Sequence, residues 1–134
     1  MKPFIIAYLS VATAFLILDG LWLGLVARNF YASQLGELLR NGFLAVPAIL
    51  FYLIYSAGLV WFAVNPGNPQ QTIMMAGING ALVGFLAYGT YNLTNLSTLK
   101  NWPLTMTLVD WTWGTVMSGL IAMIAALVVR TFNS

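Results

Sequence analysis

The sequence predicts an all-α membrane protein: an antiparallel bundle of four transmembrane helices, with a short amphipathic interfacial helix between the first two. Three observations carry this prediction. Of 134 residues, 60% are hydrophobic and 6% charged, whereas a soluble domain is charged at roughly a quarter of its positions. Four apolar runs reach or approach the ~20 residues that cross a bilayer. Proline and asparagine punctuate the gaps between those runs.

The first run covers residues 4–27. It continues well past the Ala12-Thr13-Ala14 triplet that resembles a cleavage site, so it reads as a span rather than a leader. The interfacial helix follows. Tyr31, Leu35, Leu38 and Leu39 fall on one helical face and Ser33, Glu37 and Arg40 on the other, with Gly42 placed to end it; an ordinary helical linker fits the same residues. The second span is read over 47–64, with a start near Phe43 as the variant. The third covers 69–91 and the fourth 103–129. Pro47, Pro69 and Pro103 suit first helical turns, where no amide donor is missed. Asn68 and Asn101 are expected as caps. "NPGNP", residues 65–69, joins the second and third spans as a tight turn. The whole chain, 1–134, reads as a single four-helix domain.

Four antiparallel crossings place both termini and the "NPGNP" turn on one side, A. The two larger loops, 28–46 and 92–102, lie on the other, B. Side B carries Arg28, Arg40 and Lys100 against Lys2 and Arg130 on side A, a faint lean towards a cytoplasmic side B.

Composition also narrows function. The net charge is +2, from five basic and three acidic residues with no basic run, which argues against nucleic acid as a partner; the lipid bilayer is the partner expected. Cys and His are both absent. Disulfides, thiolate catalysis, Cys/His zinc sites, iron–sulfur clusters and His-ligated haem fall away with them. No cofactor or metal is expected.

Two of the three acidic residues sit in the greasiest surroundings, Asp19 in "LILDGLWLG" and Asp110 in "LVDWTWG". Asp19 lies eight residues below the side-B end of the first span, and Asp110 lies seven residues into the fourth. At 1.5 Å per residue both are roughly 10–12 Å deep in the same half of the bilayer. An Asp at that depth costs roughly 2.5–3.5 kcal/mol on the insertion scale and as a rule faces the bundle interior and marks a site. Burial disfavours a charged carboxyl and a neighbouring carboxylate disfavours a second charge. A pair in contact would share a proton or a cation. The competing reading makes each Asp an anchor, with Asp19 paired to Arg28 or Lys100.

The third span supplies the next layer. Gly77, Gly80 and Gly84 form a small-residue face on which another helix can pack closely. The same face continues as Tyr88, Tyr91, Asn92 and Asn95. Trp22 and Trp113 each lie one turn from an Asp and would wall a pocket or pack in the core. Tyr52 and Tyr55 face either inward or outward. Trp61 and Trp102 suit a membrane-interface belt.

Taken together, "LDGLWLG", "FY" at 30–31, "VPAILFYLIYSAGLVWFAVNP", "GFLAYGTYNLTNLSTLKNWP" and "TLVDWTWGT" resemble a bacterial membrane-protein family known only as domain of unknown function 2177. The resemblance runs over essentially the whole chain. It implies a four-helix protein of the bacterial inner membrane and implies no established activity. One position departs from the family pattern: it reads Tyr-Asp-Leu-Thr-Asn, and this chain has Asn92.

On the residues themselves, the function expected is binding or transport of a small molecule or amphiphile, opening towards side B. Asp19 and Asp110 would be the ionisable core. Tyr88, Tyr91, Asn92 and Asn95 would give hydrogen bonds, and Trp22 and Trp113 apolar walls. Four helices make a narrow bundle, so transport would favour a homodimer. A membrane-embedded lipid-modifying enzyme is the alternative, with one Asp as acid and the other as base, though no nucleophile–base pair or metal-ligand set supports it. A non-catalytic accessory subunit is the third, using its glycine face to bind a partner.

Overall fold

In the computed structural model, residues 1–40, 42 and 44–133 are described. The variant start of the second span at Phe43 lies outside them. Helix α1 is Lys2–Leu21, prolonged by a π-helical turn, Trp22–Val26. Helix α2 is Arg28–Leu35, followed by a short 3-10 turn, Gly36–Leu38. Helix α3 is Ala45–Leu59, prolonged by a second π-turn, Val60–Val64. Helix α4 is Ile73–Thr98 and α5 is Leu104–Asn133. With their π-turns, α1, α3, α4 and α5 make four helices long and apolar enough to cross a membrane. Their outer faces are covered in exposed Leu, Ile, Val and Phe, as lipid-facing surfaces are.

The short second helix exists but ends early. Gly36 stops it at φ 55°, ψ −122°, a backbone region that glycine enters freely and other residues do not. Leu38 and Leu39 therefore lie beyond the helix, and the expected face is reduced to Tyr31 and Leu35. Gly42 also has a positive φ, of 74°, in the connection to α3.

The third span starts four residues later than expected and runs seven further. Asn68 does not cap it: its side-chain oxygen accepts the Gln70 amide in the turn. Thr72 is the cap, accepting the Met75 amide at 3.0 Å, which satisfies one of the free amides of the first turn. At the far end the helix continues through "NLTNLST", so residues 92–98 are helical, and the link to α5 shrinks to 99–103. Asn101 takes a left-handed φ of 64° in that link. It caps nothing among the described residues; the first helical bond of α5 runs from the Thr107 amide to the Pro103 carbonyl.

The most intimate packing joins α4 to α5. A Cβ on Gly80 would lie 2.6 Å from the Ser118 carbonyl oxygen and 2.7 Å from Ala122 Cβ. Gly84 is equally close to Gly114 and Ser118, and Gly77 to Met123. The glycine face is thus filled within the chain by α5, so it is not free to serve a partner as the accessory reading required. Helix α1 packs on the other side of α5. Phe15, fully buried, meets the rings of Phe51, Tyr52 and Tyr55 from α3 edge-on. The Tyr55 hydroxyl bonds Ser118 Oγ at 2.6 Å, tying α3 to α5.

On side A, Phe4 lies against Gly67 of the turn between α3 and α4. There α4 packs against the Val60–Val64 turn. Towards side B the body of α3 packs on α1 instead, and α3 and α4 part.

Candidate functional site

The parting of α3 and α4 leaves a cavity of about 350 Å3 in the side-B half of the bundle. Asp19 from α1 and Asp110 from α5 both line it, with Tyr88 in the wall contributed by α4. Leu23, Phe51, Ala87 and Tyr91 complete the lining. These four are exposed on the bundle's outer surface, so the cavity opens sideways, at the depth where lipid would lie. Tyr88 holds its place because Gly114 on the facing helix has no side chain; a Cβ there would run into the Tyr88 ring.

Each carboxylate is held by two neutral donors. Asp19, only 6% exposed, accepts the Tyr52 hydroxyl at 2.6 Å and Trp113 Nε1 at 3.1 Å. Asp110 accepts the Tyr31 hydroxyl at 2.7 Å and Asn92 Nδ2 at 2.7 Å. The Tyr31 hydroxyl in turn accepts Trp22 Nε1 at 3.0 Å. Trp22 and Trp113 stack face to face, centroids 4.3 Å apart and planes 7° from parallel. The two half-sites therefore form one unit. Among the described residues, neither carboxylate meets a lysine or arginine, so the pairing of Asp19 with Arg28 or Lys100 does not occur.

Local sequence explains the placement. Tyr88 and Asn92 are four apart on α4 and share the face turned to α5, where Asn92 is fully buried. Its Nδ2 also bonds the Tyr88 carbonyl at 2.9 Å. The opposite amide atom, Oδ1, has no partner. Trp22 sits on the π-turn, whose wider i→i+5 bonding (Ala27 N–H to Trp22 O, 2.7 Å) distorts the helix end beside the site; such turns are common at functional positions.

The eight residues singled out from the sequence fall into three groups. Asp19, Asp110, Tyr88 and Tyr91 line the cavity. Asn92, Trp22 and Trp113 lie behind the carboxylates and orient them directly or through Tyr31, while the indoles face a separate shallow lipid-side groove with Leu108 and Thr112. Asn95 touches neither carboxylate; it lies beside Tyr91, which packs edge-on against Trp102. Sequence periodicity puts Tyr31 on an apolar face, and in the structure its hydroxyl reaches Asp110. Burial, then the bond to Asp110, pushes its phenol up from the ordinary 10.0, so it stays a neutral donor.

Four helices long and apolar enough to cross a membrane, around a cavity lined by two carboxylates, define a helical membrane protein. More particularly, the chain belongs to the family described as "Predicted membrane protein (DUF2177)", which matches residues 4–127. No curated protein and no solved structure matches it.

Proposed function

We propose that this protein binds a small molecule or amphiphile in the Asp19–Asp110 cavity, as a step in moving it within or across the bacterial inner membrane. One observation carries the reading: carboxylates from the first and last helices line a single cavity of about 350 Å3, the size range of ligand sites, about 300–1,000 Å3. Intramembrane acids without a basic partner are expensive and are retained where a site needs them. The exposed rim at Leu23, Phe51 and Tyr91 supports entry from the bilayer for an amphiphile.

The test compares wild-type protein, Asp19→Asn and Ala87→Trp, each purified from expressing bacterial membranes, by native mass spectrometry. Ala87→Trp adds bulk to the cavity wall at its rim and leaves both Asp19 and Asp110 in the sequence. Wild type should carry a discrete bound mass that both variants lose. Identical masses on all three would remove the ligand site. New lipid products dependent on Asp19 would favour the enzyme.

A further inference from the structure

The chemistry of the cavity narrows what it can hold. An ionised carboxylate offers about four acceptor positions, and Asp19 and Asp110 each use two. The site therefore has surplus acceptors on two carboxyl groups and, among the described residues, no cationic side chain in its lining. A complementary ligand brings N–H donors and positive charge. An inorganic monovalent ion alone would leave most of the cavity, about 350 Å3, to water at roughly 30 Å3 per molecule. Most of its wall is apolar or aromatic, through Leu23, Phe51, Ala87, Tyr88 and Tyr91, and aromatic faces attract cations.

We propose that the site takes a lipophilic primary or secondary amine in its protonated form, the ammonium seated between Asp19 and Asp110 and the apolar body lying towards the gap between α3 and α4. This rests on the reading of the cavity as a ligand site and names its ligand class. N–H donors are required, so a quaternary ammonium of the same body binds more weakly although its charge is the same. A lipid bearing a phosphate beside its amine is disfavoured by the carboxylates.

The experiment is calorimetric titration of the full-length protein in nanodiscs, with phenethylamine, its trimethylated ammonium analogue, phenethyl alcohol and sodium chloride as probes. Phenethylamine should bind saturably, tighter than the other three by about tenfold to a hundredfold, the range for hydrogen bonds to charged groups. Asp110→Asn should weaken it by a similar factor. The comparison among probes on wild type needs no variant to fold. Equal binding of the alcohol or the quaternary analogue, displacement by sodium, or unchanged binding in a folded Asp110→Asn overturns the amine assignment while leaving a ligand site. Binding of no probe also overturns it, and the bound-mass comparison then decides separately whether any ligand site remains.

Discussion

Replacing Tyr31 by Phe removes one oxygen and two hydrogen bonds. The lost bond to Asp110 Oδ1 was 2.7 Å long and the lost bond from Trp22 Nε1 3.0 Å. The first, made to an ionised acceptor, stabilises by about 1.5–3 kcal/mol and the second by about 0.5–1.5. Asp110 keeps Asn92 as a donor, so the sum sits near 2–4 kcal/mol. The loss should be local. Among the described residues helix α2 packs chiefly against its flanking turns, and at eight residues it is too short to hold its helical form alone. Tyr31 is its tether to the bundle. Hydrogen exchange on the protein in nanodiscs should therefore show amides of 28–35 losing protection, by about thirtyfold or more. The amides of α4 and α5 should stay protected. Unchanged exchange in 28–35, or a loss spread evenly over all helices, would refute the tether.

Two other perturbations follow from the same coordinates. Gly80→Val puts side-chain atoms where Ser118 O and Ala122 Cβ already lie; overpacking of this kind costs about 1–3 kcal/mol, and unfolding in mixed detergent should register it, with no loss meaning that α4 and α5 do not meet there. Alkaline titration addresses the Tyr31 proton. A phenol whose pKa is raised in the fold contributes fully below its unfolded value, here 10.0, and loses the contribution as pH climbs through the folded value. Protection of α2 should thus be flat up to pH 10 and fall only above it; a fall between pH 7 and 9, absent in Tyr31→Phe, would contradict the assigned donor.

Much of this architecture is legible in the amino acids because lipid imposes simple demands. Four spans, their antiparallel order and the shared depth of Asp19 and Asp110 need only hydropathy and helical rise. Helix ends are less readable. Pro69 and Asn68 make as good a start as Thr72 on local grounds, and only the geometry of the turn, with Gln71 bonded back to Ala63, selects the later one. Polar residues 92–98 resemble a loop in sequence, yet they continue the helix, and the Thr98 hydroxyl donates to the Thr94 carbonyl one turn back. The donors to the carboxylates are the hardest to foresee. Helix α3 is apolar on every side, so no pattern reveals which way Tyr52 turns. Tyr31 meets a partner 79 residues away, and its amphipathic surroundings indicate interface rather than contact. The tyrosine hydroxyl is the missed signal: on an otherwise apolar face it needs a partner if it is not wet.

The central claim is that carboxylates of the first and last spans face one chamber, and the absence of native cysteine makes it directly measurable. Asp19→Cys/Asp110→Cys protein in nanodiscs, treated with a short bis-thiosulfonate, should form an intramolecular bridge that either single variant lacks, and prior filling of the chamber by Ala87→Trp should suppress it. Two free thiols that never bridge, in a protein whose helices remain intact, would place the acids in separate surroundings and contradict the account.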